Sequence, residues 1–535
     1  MSATGKLMPL DLSSQPELAL PFESTRALLT KWRSRDADKT AIVDLDQDGK
    51  SISWGEIAIA ADKVAKFLSD RDIKPGDKVA VLSDEYVEKL IIWMGIWRYG
   101  AVICPLNVEM NEVHLVEILE GIAPALTLWQ SDLDGPKLTA GITTPAMRFA
   151  GWQPDAQGDP AADEFFAVLA SYPDGAGADI ETENRAEDLS CIFCTSGTTS
   201  KPKSVVYNHM SYWLSGLSTL DMLGLTEDDR TLEYRSFGWN SAQILTLMPW
   251  LQTGLTMHMA KRFSRSRFFG WIRDYGITFS AGVPTVVNML LNEPPPEADR
   301  DVPSLQRMTC STAPLSPDQW KMFESLYGVT LLQLYGMSEA GWICGNRHYR
   351  RSMGTVGPPA KHQEFIIVDG DGAPCPTGAE GEITVGGPQT CNGTISPEGV
   401  FEDLSDVRIR TGDLGMMDND GFVTVTGRTK DLIIRGGVNI APLEIDNVLL
   451  RNPKIREAAA VGVPDGIYGE EVIAYVAVKS GETLTPEEVK SWCIDALPDF
   501  KAPKEVYFMD DLPKSDRGKV LRDDLKNIWK TSQES

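Results

Sequence analysis

The segment TSGTTSKPK, residues 195–203, combines residue types that could bind a polyphosphate. Its hydroxyl groups and its lysine can donate to phosphate oxygens, and its glycine leaves backbone N–H groups accessible. The residues concerned are Thr195, Ser196, Gly197, Thr198, Thr199 and Lys203. The Gly-x-x-x-x-Gly-Lys spacing of the P-loop is missing, so that motif does not explain the segment. A plain polar hairpin loop is the alternative interpretation.

The residues on both sides of this segment predict strands. LSCIF precedes it and SVVYN follows it, and both are short apolar runs. We therefore expect the segment at the tip of a β-hairpin. Cys191 and Cys194 form a CxxC in the first strand, where core packing explains them better than redox or zinc chemistry.

The formal net charge of -25, from 51 basic and 76 acidic residues, argues against nonspecific binding to nucleic acid or to an anionic membrane. An anionic ligand would need a locally built positive site. The segment KRFSRSRFFGWIR, residues 261–273, contains five basic residues and no acidic residue. It is either a solvated helix face or a docking site for a phosphorylated ligand.

Length and composition are those of a globular protein with several structural units. No uncharged apolar run reaches the ~20 residues that a bilayer span needs, and the first residues do not resemble a signal peptide. Eight cysteines in 535 residues are too sparse for a disulfide scaffold. The sequence therefore predicts a cytoplasmic protein with reduced thiols and no membrane span.

From about residue 40, short apolar strands alternate with amphipathic helices. AIVDLD and KVAVLS predict strands, and WGEIAIAADKVAKFLSDR between them predicts a helix. These crossovers are long enough for parallel pairing, which predicts an α/β fold with doubly wound sheets. Ligands gather at the carboxyl ends of such strands, so the loops STAPL (residues 311–315) and YGMSE (335–339) are candidate site walls.

The pattern changes near residue 354. From there to about residue 426, short strands separated by Gly, Pro and Asp predict a small β-rich subdomain. About a hundred residues beyond it form an α+β pattern of their own. We place the domain boundary near Lys430, which divides the chain into a large domain of residues 1–429 and a small one of residues 430–535.

The loop TSGTTSKPK resembles the TSGTTGxPKG signature of the adenylate-forming superfamily, which includes the acyl-CoA synthetases. Further landmarks of that family follow in order: STAPL (311–315), QLYGMSEA (333–340), RTGDLG (410–415), GRTKDLIIRGGVNIAPLEID (427–446) and LPKSDRGKVLR (512–522). In that family a carboxylate attacks the α-phosphate of ATP, pyrophosphate leaves, and the acyl-adenylate passes to a thiol. The resemblance covers essentially the whole chain and implies an AMP-forming acid–CoA ligase.

The resemblance implies a role for each matching residue. Lys519 corresponds to the lysine that bridges the carboxylate and the α-phosphate, and Glu339 to the residue that holds Mg²⁺. Thr195, at the start of the loop, is the third catalytic candidate. Asp413 corresponds to the carboxylate that binds the ribose hydroxyls, and Arg428 to an arginine that reaches the ribose or the phosphates. ATP, Mg²⁺ and CoA are the implied cofactors.

The adenine ring is expected between two walls. Tyr335 would stack on the ring, and Gln333 would form a hydrogen bond near its amino group. The opposite wall and the adjoining loop supply the other nucleotide-binding candidates: Ser311, Thr312, Ala313, Pro314, Gly336, Met337 and Ser338.

Lys430 matches the hinge position of the family. Rotation there would make the C-terminal domain mobile, withdrawing Lys519 and bringing Gly436 and Gly437 toward the incoming thiol. The loop signature departs from the family pattern, because Ser200 and Ser204 replace two of its glycines. This departure puts the mobility of the loop in doubt more than its binding.

The acid pocket is harder to predict. Amino-acid-activating relatives pair the α-ammonium group with an Asp in an FDxS stretch, and FGWN here has Gly238 at that position, which disfavours an α-amino acid. Arg235 could pair with a second carboxylate of the acid or could be structural. Trp239 lies where many relatives carry an aromatic or His gate. Further lining candidates, each also interpretable as a core residue, are Val283, Val287, Met337 and Trp342.

Three functions remain open at this point. The first is a ligase that joins a small carboxylic acid to CoA, and the second is a stand-alone adenylating enzyme that loads a carrier protein. The third is a nucleotide-binding protein without catalysis, although the presence of Lys519, Glu339 and Asp413 weighs against it. The sequence leaves a homodimer open and does not identify the acid.

Overall fold

The computed structural model describes residues 22–133, 145–153, 157–195, 203–313, 315–514 and 519–534. The strands of these residues form four β-sheets. Within the same ranges, no helix combines the length and the apolar run that a bilayer span needs.

The strands are numbered in chain order. Those of the first two thirds of the chain are β1 (Thr40–Asp44), β2 (Lys50–Ser53), β3 (Lys78–Leu82), β4 (Val102–Leu106), β5 (Leu126–Gln130), β6 (Ala146–Phe149), β7 (Leu189–Thr195), β8 (Lys203–Asn208), β9 (Arg230–Glu233), β10 (Thr256–Met259), β11 (Phe279–Ser280), β12 (Arg307–Cys310), β13 (Thr330–Met337) and β14 (Gly341–Gly345). The remaining strands are β15 (Glu364–Val368), β16 (Gly381–Gly386), β17 (Gly393–Ile395), β18 (Phe401–Asp403), β19 (Ile409–Met417), β20 (Val423–Arg428), β21 (Ile433–Arg435), β22 (Val438–Ile440), β23 (Ile455–Asp465), β24 (Gly469–Val478) and β25 (Glu505–Phe508).

The α-helices of the described residues are numbered in the same way. They are α1 (Thr25–Asp36), α2 (Trp54–Asp70), α3 (Val87–Tyr99), α4 (Glu112–Ile122), α5 (Phe165–Ser171), α6 (His209–Leu223), α7 (Asn240–Ala242), α8 (Met248–Thr253), α9 (Arg265–Tyr275), α10 (Pro284–Asn292), α11 (Pro317–Tyr327), α12 (Pro442–Leu450), α13 (Pro486–Ile494) and α14 (Arg522–Glu534). A π-helical turn, Gln243–Leu247, joins α7 to α8, and short 3₁₀ turns span Glu297–Asp299 and Thr429–Asp431.

Two eight-stranded sheets make up most of the protein. One has the order β14-β13-β12-β11-β9-β10-β1-β2, and the other has the order β18-β17-β8-β7-β4-β3-β5-β6. Neighbouring strands are parallel from β13 to β1 in the first sheet and from β7 to β6 in the second. The predicted α/β fold with doubly wound sheets is therefore confirmed.

Helix α3 lies at the centre of the main core, and all of its side chains are buried. A helix that is apolar around its whole circumference is expected in such a position. Its three charged residues are all paired: Glu88 with Lys50 at 2.9 Å, Lys89 with Glu85 at 2.7 Å and Arg98 with Asp62 at 2.9 Å. Gly100 ends the helix with a φ of 87°, a left-handed conformation that suits glycine.

Helix α2 packs beside α3, and a capping box fixes its start. The Ser53 hydroxyl accepts from the Glu56 amide at 3.2 Å, and the Ser53 amide donates to the Glu56 carboxylate at 2.7 Å. We expect Ser53→Ala to lower the free energy of unfolding by about 1 kcal/mol, because an orphan helix amide loses its acceptor. Urea denaturation measures the loss, with the exposed Ser51→Ala as the matched control. Equal stability of the two variants would contradict the assignment.

The predicted β-rich region contributes to two different sheets. Strands β15, β16, β19 and β20 form an antiparallel four-stranded sheet of their own. Strands β17 and β18 instead extend the second large sheet, because β17 pairs with β8 through Gly393 and Val206. The β-rich region therefore forms one sheet of its own and also adds two strands to the sheet that contains β8.

The last sheet contains β21 to β25 in a separate part of the chain. Its core strands β23 and β24 pair antiparallel from Ile455–Val478 to Asp465–Gly469, and β25 adds to β24 in parallel. Helices α12 and α13 cover one face with an apolar cluster that includes Ile445, and α14 packs Leu525 against the other face. This α+β arrangement agrees with the sequence pattern beyond Lys430.

The eight cysteines are all free. Cys191 faces the main core and Cys194 faces the opposite side of the same sheet, so the CxxC does not form one site. Burial raises the pKa of both thiols, which keeps them protonated and unreactive. The core-packing interpretation is confirmed.

The basic segment of residues 261–273 does not form an unneutralised positive patch. Each of its five cations has an acidic partner within 4 Å: Lys261 with Asp84, Arg262 with Glu109, Arg265 with Glu293, Arg267 with Asp46 and Arg273 with Asp299. This pairing favours the interpretation as a solvated, ion-paired helix face.

Candidate active site

A cleft of about 960 Å³ lies between the carboxyl ends of β12 and β13, the β19–β20 pair and the segment that carries Lys519. Strands β12 and β13 are parallel neighbours with Cys310 opposite Gln333, so the loops that follow them lie side by side. Both loops were predicted as site walls for this reason. The predicted nucleotide-site residues on the cleft are Thr312, Ala313, Gln333, Tyr335, Gly336, Asp413, Arg428, Lys430 and Lys519.

Asp413 is held by two neighbouring side chains of the cleft. It lies opposite Arg428 in the β19–β20 ladder, and Arg428 Nε pairs with Asp413 Oδ1 at 2.8 Å. The hydroxyl of Tyr335 donates to Asp413 Oδ2 at 2.5 Å. Only 5% of Asp413 is exposed, so two donors hold a buried carboxylate at the edge of the cleft.

Tyr335 and Thr312 form two sides of the cleft. Burial, together with the neighbouring Asp413 carboxylate, raises the pKa of the Tyr335 hydroxyl and keeps it a hydrogen-bond donor. Thr312 has a φ of 80°, which is a genuine outlier for a β-branched residue. Such strain is often found at ligand sites, where the surrounding structure enforces it.

Local pairing brings Lys519 to the cleft. Val520 forms a β-bridge with Lys514, and the Leu521 amide donates to the Pro513 carbonyl at 2.9 Å. These contacts place the residues that follow Lys519 beside Pro513 and Lys514. The lysine therefore lies on the same cleft as Asp413 and Tyr335, more than a hundred residues away in the sequence.

The turn with Ser338 and Glu339 is held through its backbone. The Ser338 carbonyl accepts from the Tyr207 hydroxyl at 2.8 Å and from Asn240 Nδ2 at 3.1 Å. The Glu339 carbonyl accepts from the Cys391 amide at 2.9 Å. The half-buried Glu339 side chain raises the pKa of the Cys391 thiol, although burial of that thiol is the larger cause. Three separate segments therefore hold the backbone of this turn.

Several predicted nucleotide-site residues lie away from the cleft walls. Ser311 is almost fully buried, and Gly436 and Gly437 form the exposed turn between β21 and β22. Lys203, the first residue of β8, lies opposite Thr195, the last residue of β7, which confirms the predicted hairpin. Met337, Ser338 and Glu339 follow Tyr335 without lining the cleft. Residues Ser196, Gly197, Thr198, Thr199 and Pro314 are outside the described residues.

The predicted acid-pocket residues do not come together on this cleft. Val287 is fully buried in one hydrophobic cluster, with Val283 packed at its edge. Trp342 is 3% exposed in another cluster, where its Nε1 donates to the Thr219 hydroxyl at 2.8 Å. Trp239 is half-buried at the start of α7. Burial favours the core interpretation of Val287 and Trp342.

Arg235 has an internal partner. Its Nε and Nη2 donate to the two carboxylate oxygens of Glu233 at 2.9 and 2.6 Å, and Glu233 is 1% exposed. The Glu233 carboxylate also accepts from the Thr246 hydroxyl at 2.7 Å. This bidentate pair favours the structural interpretation of Arg235 over a contact with the acid.

Sequence reasoning missed four residues that organise the site: Tyr207, Asn240, Asp446 and Arg522. Tyr207 and Asn240 act on a backbone carbonyl, which no side-chain pattern reveals. Asp446 and Arg522 end the quoted segments GRTKDLIIRGGVNIAPLEID and LPKSDRGKVLR. An acid and an arginine at the ends of two such segments could have indicated an ion pair.

Comparisons with known proteins agree with this arrangement. The model of the AMP-binding enzyme family matches residues 29–394, and that of the AMP-binding enzyme C-terminal domain matches residues 444–519. An oxalate–CoA ligase from Arabidopsis thaliana is 30% identical over 467 residues, covering 86% of this chain and 89% of that protein. A sulfoacetate–CoA ligase from Cupriavidus necator is 29% identical over 97% of this chain and 100% of that protein.

The fold is also found among solved structures. The crystal structure of ATP-bound MatB from Rhodopseudomonas palustris has a TM-score of 0.82 at 27% identity, covering 95% of this chain and 99% of that chain. These matches confirm the superfamily that the ordered landmarks indicated. The chain belongs to the AMP-binding enzyme family.

Proposed function

We propose that this chain is an ATP-dependent, AMP-forming acid–CoA ligase. In the first step a carboxylate oxygen attacks the α-phosphate, the bond to the β-phosphate oxygen breaks and pyrophosphate leaves. In the second step the CoA sulfur attacks the acyl carbon and AMP leaves. The observation that carries the proposal is the single cleft that joins Lys519 with Asp413 and Tyr335. The names of the oxalate and sulfoacetate relatives support the same reaction class.

The residues of the cleft suit a nucleotide. Asp413 offers two acceptor oxygens to vicinal hydroxyls, and Arg428 and Tyr335 fix the orientation of its carboxylate. The Tyr335 ring packs against the main core and also lines the cleft, where it could stack on a base while its hydroxyl stays bonded to Asp413. Lys519 would neutralise the charge where the carboxylate approaches the α-phosphate. Phosphoryl-type transfer depends mainly on such positioning and charge neutralisation.

Glu339 fits a magnesium ion that is held chiefly by the nucleotide. Among the described residues no cluster of three His, Cys, Asp or Glu side chains could hold a metal by itself. Mg²⁺ is usually bound through one or two carboxylates plus substrate phosphates, which agrees with a single Glu339 carboxylate. When bound, the ion would neutralise charge on the phosphate oxygens. The backbone contacts of Ser338 and Glu339 would keep the carboxylate in place.

The second step would use another arrangement of the C-terminal part. Lys430 lies in the exposed turn between β20 and β21, which suits the predicted hinge. The turn with Gly436 and Gly437 is exposed and is not part of the cleft walls. Rotation at Lys430 would move Lys519 out of the cleft and present this turn to the thiol.

The Arg235–Glu233 pair opposes a direct contact between Arg235 and a second carboxylate of the acid. Its positive charge is already balanced, and moving it would leave the Glu233 carboxylate buried and unpaired. We therefore expect Arg235 to have a structural role and not to contact the acid. Diacids such as oxalate belong in the substrate panel because a relative is named for oxalate, and not because of Arg235.

The proposal is tested by incubating the purified protein with Mg²⁺, ATP and single acids, with and without CoA. The panel contains aliphatic and aromatic monoacids, oxalate and sulfoacetate, and mass spectrometry identifies the products. We expect AMP, pyrophosphate and acyl-CoA in equal amounts when acid and CoA are both present. Acyl transfer to a phosphopantetheinylated carrier protein but not to CoA would contradict the assigned acceptor. Absence of AMP and acyl-adenylate with every acid would overturn the proposal.

A further inference from the structure

Arg522, whose side chain is largely covered, links the segment that carries Lys519 to the rest of the C-terminal part. Arg522 follows Lys519 by three residues and begins α14. Its Nη1 donates to the Ala460 carbonyl at 2.6 Å, and its Nη2 donates to Asp446 Oδ2. Its side chain is 16% exposed and that of Asp446 is 7% exposed. The Arg522 guanidinium group therefore contacts both strand β23, through Ala460, and helix α12, through Asp446.

Asp446 completes this connection from the other side. Its second oxygen, Oδ1, accepts from the Ala460 amide at 2.7 Å. Arg522 and Asp446 therefore satisfy both backbone groups of Ala460 on β23 and also each other. Hydrogen bonds to a charged partner in a buried setting are directional and restrict how α12, β23 and the start of α14 can move.

Asp431 extends the cluster to the predicted hinge. Its Oδ2 lies 3.9 Å from Arg522 Nε, and it directly follows Lys430 in the turn Thr429–Asp431. Asp431, Asp446 and Arg522 all lie on the walls of the cleft that contains Lys519. A rotation at Lys430 would therefore be transmitted through Asp431 and Arg522 to the Lys519 segment.

We infer that Arg522 is a positioning residue for Lys519, acting through the Asp431–Arg522–Asp446 cluster. The inference rests on the proposed function. It adds that Arg522 determines the position of Lys519 in the cleft. The Lys514–Val520 bridge, the Leu521 amide and the apolar packing of Val520 and Leu525 also hold the segment, but among these contacts Arg522 supplies the charged hydrogen bonds to α12 and β23. A reacting group that shifts by about 1 Å can lose a hundredfold in rate, so loss of this attachment is expected to be visible in kinetics.

The test must separate positioning from stability. Arg522→Met leaves Asp446 buried without its charged partner, which by itself destabilises a fold. The double variant Asp446→Asn/Arg522→Met removes that unpaired charge and is expected to regain most of the thermal stability. Lys501→Met is the matched control, because it breaks a more exposed ion pair of the same helix, between Lys501 and Glu444.

Each half-reaction is measured separately for the wild type and the three variants. We expect the double variant to form acyl-adenylate about tenfold more slowly at saturating ATP and acid, whereas acyl transfer from supplied acyl-adenylate to CoA stays near the wild-type rate. Lys501→Met should change neither rate. A double variant that regains adenylation together with stability would overturn the inference, because the role of Arg522 would then be structural only.

Hydrogen exchange supplies a readout that does not need a reacting acid. In the double variant we expect faster exchange of the amides from Val520 to Leu525, with little change in β24 and in β23 away from Ala460. Unchanged exchange in that segment would contradict a positioning role, whether or not any acid reacts. Failure of the wild type to react with any acid would instead count against the proposed function alone.

Discussion

Lys519→Ala is expected to slow acyl-adenylate formation by about a hundred- to a thousandfold, since that is the usual cost of removing one preorganised donor from a charged transition state. The side chain lies on the cleft with Asp413 and Tyr335, where the proposed nucleotide would bind. The loss should appear in the maximal rate of pyrophosphate release and much less in the KM for ATP. Single-turnover measurements with a reactive acid give both quantities.

Lys514→Ala is the matched control for this prediction. Lys514 precedes Lys519 by five residues on the same cleft, but its ammonium group pairs with Glu457 at 2.7 Å. We expect its replacement to change adenylation by no more than a few-fold, which is the scale of a partly exposed ion pair. A similar loss in both variants would show that general charge in the cleft, and not Lys519, carries the effect. Transfer of a supplied acyl-adenylate to CoA should be retained by Lys519→Ala.

Asp413→Asn is expected to lower kcat/KM for ATP by about ten- to a hundredfold, because hydrogen bonds to a charged group contribute roughly 1.5–3 kcal/mol each. The substitution keeps the size of the side chain but removes the charge that Arg428 and Tyr335 orient. The loss should lie mainly in KM, since the contact is with a part of ATP that does not react. Steady-state kinetics in ATP at saturating acid measure it.

Tyr335→Phe separates the two roles proposed at this site. It keeps the aromatic ring for the base and removes only the hydroxyl that donates to Asp413 Oδ2. We expect a few-fold rise in the KM for ATP, well below the effect of Asp413→Asn. Unchanged ATP kinetics in Asp413→Asn would contradict a ribose contact, and a larger effect of Tyr335→Phe would assign the main role to the hydroxyl.

Local patterns allow much of the fold and the nucleotide cleft to be predicted. The strands of the β7–β8 hairpin are short apolar runs around a polar segment, which predicts the hairpin, and the structure adds the register of Thr195 opposite Lys203. Parallel pairing of β12 and β13 brings STAPL and YGMSE together, because the carboxyl ends of parallel strands share one edge. These features depend on periodicity and chain order, which a single sequence contains.

Contacts between distant segments are not predictable in the same way. Asp446 and Arg522 are 76 residues apart, and neither has a local pattern that specifies the other. The acid-pocket candidates show the same difficulty, because Val287 and Trp342 are apolar residues at sequence positions that suit either a core or a pocket. Strand β17 pairs with its sequence neighbour β18 on one side and with the distant β8 on the other, and the pairing with β8 depends on tertiary packing.

The most direct test of the account follows the oxygen atoms of the acid. An acid that reacts is labelled with ¹⁸O in both carboxylate oxygens and is converted with ATP and CoA by the wild-type protein. Attack of the carboxylate on the α-phosphate places one labelled oxygen in AMP, so we predict AMP with a single ¹⁸O and unlabelled pyrophosphate. Label in inorganic phosphate with ADP as the other product, or AMP without label, would contradict the proposed reaction.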